Sequence, residues 1–206
     1  MKQVMIRAVI YSVIMILCMG NVAHAADAEY IDNEELWKIA IEVGNLYDLD
    51  SAILVSLVDS ESTRNIWAVN GTHNGLTQVT AKWHQERMDR LGVEDLYDPY
   101  GSILVCADYL DELLGIGEKK GYGRSIEYAL MRYNMATDTA NSMYARGEIS
   151  GYAKKIVKRA AEYQEEKEKW EAVYDLEKIM EDMKTKKQAT VLAKSIGSQY
   201  LLDKIK

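Results

Sequence analysis

Glu61 is the residue whose type and setting best suit chemistry. It closes a stretch, Ile53-Leu54-Val55-Ser56-Leu57-Val58-Asp59-Ser60-Glu61, in which apolar side chains spread around most of a helix. A carboxyl carried to the end of such a helix loses hydration of its charged form. The negative end of the helix dipole disfavours ionisation further, so both effects raise its pKa. A carboxylic acid still protonated near neutral pH is a general acid for a departing oxygen. Set apart from the rest of the chain, the same residue would read as a surface Glu ending a helix. Asp59 lies two residues away, where helical side chains face apart, so it reads as a solvated or capping carboxylate.

The other reactive side chains are less suggestive. His73 and His84 are too few and too poorly spaced for a zinc site and read as surface residues. No metal or other cofactor is expected. Cys106 sits in an apolar helical stretch and reads as a buried structural thiol with no base beside it. Trp67 and Trp83 have faces that suit sugar C–H surfaces, but core anchoring is the preferred reading for both.

The elements that must position Glu61 are almost all helical. Apolar residues recur at spacings of three and four, with one proline, no phenylalanine and no long alternating strand. Asp32 reads as a helix cap with Glu35 at the capping-box position, and Gly44 with Leu46–Leu49 marks that helix's end. Asp50 caps the helix that carries Glu61. Asn70-Gly71 and Asn74-Gly75 are turn signals within an irregular stretch, residues 64–76, that forms a small hairpin or a loop. A helix covers about Thr80–Leu91. Asp98-Pro99 opens the next, whose pattern is broken by Gly115, Gly117, Gly121 and Gly123. A helix spans roughly Ser125–Arg132, a loop carries Tyr133–Ser150, and a long helix begins near Gly151.

Charge and the first residues bound the setting. Lys2 and Arg7 precede an apolar run from Ala8 to Met19, and Ala23-His24-Ala25 offers a signal-peptidase site. Residues 1–25 therefore read as a signal peptide, with the mature chain in the periplasm or the outer wall. An uncleaved N-terminal membrane helix is the competing reading. A lipoprotein fits less well, because Leu17 precedes Cys18 where a small residue belongs. The formal net charge of −7 becomes −9 (23 basic against 32 acidic residues) once Lys2 and Arg7 are removed. This argues against nucleic acid as a partner. The mature part would keep Cys106 as its one cysteine and cannot close an internal disulfide, so it must stand on its packed core. Residues 184–206 carry six lysines against Asp203 and suggest an amphipathic helix. That tail would pack back on the domain, or contact a partner protein or an anionic surface.

Four blocks in order resemble the soluble lytic transglycosylases, a family whose catalytic domain is related to goose-type lysozyme. They are Asp50–Leu54 leading to Asp59-Ser60-Glu61-Ser62, and Ala68-Val69-Asn70 followed by Gly75-Leu76-Thr77-Gln78. Leu96-Tyr97-Asp98-Pro99 with the helix through Tyr109-Leu110 is the third. Ala129-Leu130 with Tyr133-Asn134, then Tyr152, is the fourth. The resemblance covers about residues 36–163. Arg64 stands where the family has an aromatic residue, Thr77 where it has Met, and Ala136 where it often has Gly. The loop from Asn70 to Gly75 is one residue short.

The resemblance implies an all-α or mostly α, lysozyme-like fold over residues 30–164 with a helical C-terminal extension, residues 165–206. It implies a peptidoglycan lytic transglycosylase that cuts the MurNAc–GlcNAc bond and leaves a 1,6-anhydromuramyl end. Ordinary glycosidases use two carboxylates, and this family manages with one acid, here Glu61. Asp89, Asp95, Asp98 and Asp138 stay open as spatial partners. By the same resemblance, Gln78 and the backbone at Gly75-Leu76 line the groove, Tyr133 and Asn134 sit across from Glu61, and Tyr152 hydrogen-bonds near the acid. Ser62 supports Glu61 or simply ends its helix. Two alternatives stand beside this: a hydrolytic muramidase, and a non-catalytic peptidoglycan-binding or envelope-assembly protein. In either case the segment 165–206 could contact an envelope machine. The oligomeric state is not legible.

Overall fold

The structure is a computed structural model that describes residues 28–182 and 186–205. The expected signal peptide, residues 1–25, lies outside the described residues. The fold is mostly α, with ten helices and one two-stranded sheet among the described residues. None of the described helices is long and apolar enough to cross a membrane.

Helix α1 (Asn33–Tyr47) begins at Asp32, whose carboxylate accepts the Glu35 N–H at 2.8 Å. It ends where Asp48 turns left-handed and the Leu49 N–H returns to the Gly44 carbonyl at 2.9 Å. Helix α2 (Ser51–Glu61) is capped by Asp50 on the Ala52 N–H. All eight residues from Ser51 to Val58 are buried. Eleven residues are too few to hold a helix in water on propensity alone. What holds α2 is packing, because each large apolar side chain buried here is worth about 1.5–3 kcal/mol. Its last turn then emerges from the core and presents Glu61.

Strands β1 (Val69–Asn70) and β2 (His73–Asn74) pair antiparallel around Gly71-Thr72, so the turn-rich stretch is a hairpin. Helix α3 (Ala81–Leu91) follows. Helix α4 (Pro99–Lys119) starts from Asp98, which accepts the Gly101 N–H. Contrary to the sequence expectation, α4 runs through Gly115 and Gly117. A Cβ on Gly117 would lie 2.9 Å from the Tyr128 ring, so this glycine serves close helix packing and not a break. Helices α5 (Ile126–Asn134), α6 (Thr137–Ala145) and α7 (Gly151–Glu162) follow. The loop expected from Tyr133 to Ser150 is largely α6. Its polar sequence concealed it, since Ala140 is its one fully buried residue.

Two cores result. The larger gathers α1, α2, α4, α5 and α7 around Trp37, Leu57, Leu110, Leu130 and Ile156. The smaller joins Val79, Met88, Leu96 and Val105, so that the segment after the hairpin and α3 form a lobe on the flank of α4. Helix α8 (Gln164–Asp182) carries Trp170 and Val173 into the larger core. Helices α9 (Lys186–Ser195) and α10 (Gln199–Ile205) fold back, with Ala193 and Leu201 against Leu176.

Candidate active site

Glu61 is half-buried at the end of α2 and accepts a short hydrogen bond from the Tyr152 hydroxyl on α7. Burial pushes its carboxyl up. Tyr152, His73 and Lys155 pull in the other direction without cancelling the effect. Among the groups that act on Glu61, His73 and Lys155 are basic residues. Asp98 is occupied as the α4 cap, Asp95 holds the Tyr97 N–H, Asp89 holds Gln85, and Asp138 lies in the first turn of α6.

Asp59 is not the solvated carboxylate its position suggested. It is mostly buried, pairs with Arg64 at 2.6 Å and accepts the Tyr163 hydroxyl at 2.7 Å. Arg64 also donates to Asn33 at 2.7 Å. Thus the arginine in place of the family's aromatic residue ties the end of α2 to the start of α1. Ser62 closes α2, and its hydroxyl donates to the Val58 carbonyl at 3.2 Å.

The stretch opposite is fixed by its backbone. Gly75 has φ +71°, and a Cβ there would fall 1.9 Å from the Leu96 carbonyl oxygen. Only glycine fits that contact. Leu76 is fully buried in the larger core. Thr77 exchanges hydroxyl contacts with Ser102 at 3.0 Å and donates to its carbonyl at 3.1 Å. This is a use for a hydroxyl where the family has Met. Gln78 adopts φ +53°, and its amide nitrogen donates to the carbonyls of Ala68 and Gly75, both at 2.9 Å. Those carbonyls can only accept, so Oε1 is the free face of the amide.

Tyr133, at the end of α5, donates to the Thr77 carbonyl at 2.7 Å and so bridges the two lobes. Burial first, then the nearby Cys106, Tyr152 and Glu61, hold its hydroxyl well above the usual range. Asn134 follows it, exposed. Tyr152 is likewise raised by burial and by the Glu61 charge, so it stays a neutral donor. Cys106 is fully buried, and burial lifts its thiol to about 12, which leaves it inert at neutral pH.

Between the lobes a cleft of about 190 Å³ is lined by His73, Gln78, Thr80, Trp83 and His84 on one side and by Tyr109 and Tyr133 on the other. Its lining includes two residues expected at the site, Gln78 and Tyr133. Glu61, Ser62, Gly75, Leu76, Asn134 and Tyr152 are not among the side chains that line it. His73, which lines the cleft, acts electrostatically on Glu61, and Glu61 in turn acts on Tyr133.

Two expectations need correction here. Trp67 and Trp83 are not core anchors: they are 42% and 77% exposed. Trp67 instead packs on Tyr97 with ring centroids 5.2 Å apart. Nor is His84 a plain surface residue. It is half-buried against Tyr109, with ring centroids 4.6 Å apart. A signal was available for His84 in hindsight, since Trp83, His84 and Arg87 fall on one turn of α3. Among the described residues no cluster of three His, Cys, Asp or Glu side chains could hold a metal ion.

Residues 38–172 match the family model described as the transglycosylase SLT domain, which reaches eight residues beyond residue 164 into the C-terminal extension. No curated protein matches the chain.

Proposed function

The chain belongs to the transglycosylase SLT family, and from that membership we propose that it is a peptidoglycan lytic transglycosylase acting in the cell envelope after export. The observation that carries the reading is Glu61. It is a carboxyl raised by burial and hydrogen-bonded to Tyr152 at the end of a buried helix, and it interacts electrostatically with His73 and Tyr133, which line the cleft.

In this reading protonated Glu61 gives its proton to the oxygen leaving C1 of the muramyl sugar. The carbonyl oxygen of that sugar's acetamido group attacks C1 and forms an oxazolinium ring. Glu61, now ionised, accepts the proton of the 6-hydroxyl. O6 then attacks C1, the oxazolinium opens back to the acetamide, and a 1,6-anhydro ring closes. One residue is acid and then base, and no water is consumed. Tyr152 donates to the carboxylate stage, which burial alone would make too costly.

Gln78 Oε1, Tyr133 and Asn134 hold the glycan strand, Gly75 and Leu76 fix the backbone that aims Gln78, and Ser62 ends the helix behind Glu61. The catalytic unit is residues 30–164. The segment 165–206 buttresses it through Trp170 and Val173 and is the element available to an envelope partner. Membership in the transglycosylase family is what favours the anhydro product over hydrolysis. Digestion of sacculi with the mature protein, beside Glu61→Gln, tests this. Anhydromuramyl ends that vanish in the variant support the reading. Reducing ends, or cleavage unchanged in the variant, overturn it.

A further inference from the structure

The cleft flank built by α3 has features that the Glu61 chemistry does not use. Arg87 is nearly buried there, held by Asp108 at 2.7 Å and by Glu112, and its guanidinium lies 4.8 Å from the Tyr109 ring centre. It also donates to Nδ1 of His84 through a short contact. Arginine has donors only, so His84 Nδ1 must accept, and the ring's one proton must sit on Nε2. Burial, and then the Arg87 charge, push the imidazole down to about 4, so it is neutral whenever the envelope is near neutral pH. His84 is thus a fixed-tautomer donor on a ring that lines the cleft.

Next to it, Trp83 stands 77% exposed, the most exposed of the large apolar side chains in the described structure, and it lines the same cleft. The remaining lining contains no Asp, Glu, Lys or Arg. A planar aromatic face beside neutral donors and the Gln78 acceptor suits an uncharged, polyhydroxylated ring and not an ion.

We infer that Trp83 and His84 form a sugar subsite on the small lobe, with the indole stacking on the face of an N-acetylated pyranose and His84 Nε2–H donating to one of its oxygen acceptors. This subsite rests on the glycan-cleaving reading for its substrate class, but binding tests it without turnover.

The probe is the N-acetylglucosamine tetramer, titrated calorimetrically into the full mature chain. Trp83→Ala should weaken Kd about tenfold, as removal of a central aromatic contact does. His84→Ala should weaken it about three- to tenfold, the size of one neutral hydrogen bond. His84→Gln, whose amide N–H falls near the lost Nε2–H, should recover most of that loss. On peptidoglycan the Ala variants should raise KM and leave kcat nearly unchanged, a split that general loosening of α3 would not give. Nitrogen NMR of the wild type should show His84 neutral with its proton on Nε2 at pH 7.

Wild-type affinity in both Ala variants, no binding of the tetramer by the wild-type chain, or a charged or Nδ1-protonated His84 would overturn the inference. These outcomes are separable from failure of the Glu61 reading. Glu61→Gln protein that binds the tetramer normally, and loses it with Trp83→Ala, supports the subsite whatever products the wild type makes.

Discussion

Replacing Tyr152 by Phe removes one oxygen and leaves the ring packed against the larger core. That oxygen donates to Glu61 Oε1. A hydrogen bond to a charged group is worth about 1.5–3 kcal/mol when enclosed. Glu61 is only half-buried, so about 1–2 kcal/mol is the fitting range after solvent screening. The bond favours the ionised carboxyl, so its loss favours the acid form. At about 1.4 kcal/mol per unit, the Glu61 pKa should rise by about one unit. In the proposed mechanism cleavage starts from protonated Glu61, so kcat/KM should fall as pH rises through that pKa. The alkaline limb of the kcat/KM profile, which reports the free enzyme, should therefore move about one pH unit upward in Tyr152→Phe. Turbidity loss of sacculi, measured at several substrate loads across pH, reads it. An unmoved limb, or one displaced downward, would refute the assignment of Glu61 as the proton donor or of Tyr152 as the partner of its ionised form.

Other perturbations probe the frame around the site. Gly75→Ala forces a left-handed φ on a residue whose Cβ would overlap the Leu96 carbonyl. It should cost at least about 3 kcal/mol in chemical denaturation. Asp108→Asn should cost about 2–3 kcal/mol at pH 7, because Arg87, Arg90 and Tyr47 all bind this carboxylate. Burial pushes Asp108 up, but Arg90, Arg87 and Tyr47 outweigh it and hold its pKa below the ordinary value. The stability it adds is thus present above about pH 4 and lost as pH falls through the depressed value, and urea titrations at pH 3 and 7 should show the variant's deficit shrinking in acid. Glu61 runs the other way. Its folded pKa is raised, so its favourable share is complete below the ordinary carboxyl range and lost as pH rises. Glu61→Gln should melt higher than wild type at pH 7, with the gap closing toward pH 4.

The sequence made the helix order legible because caps and periodicity agree along most of the chain. Asp32, Asp50 and Asp98 all cap where their spacing indicates. Glu61 was legible for the same reason, since a helix apolar on every side has to be central. What escaped was set by contacts distant in sequence. Gly117 looked like a breaker until Tyr128 was placed over it. Thr137–Ala145 opens with polar residues, and the short stripe that holds it, Ala140, Met143 and Tyr144, is one turn long and packs on the larger core. Asp59 reads as polar surface unless Arg64 and Tyr163 are known to meet it. Trp83 and His84 were assigned by residue type, and periodicity alone does not separate a buried face of α3 from one that opens on a cleft. The family match carries the fold, whereas the roles of Gln78, Tyr133 and Tyr152 depend on hydrogen bonds that no spacing reveals.

Digestion in water labelled with heavy oxygen asks most directly whether Glu61 works without water. If the 6-hydroxyl closes the ring, the new muramyl ends should be anhydro and carry no label. Label incorporated at C1 of reducing muramyl ends would contradict the single-carboxylate account and make the enzyme a hydrolase.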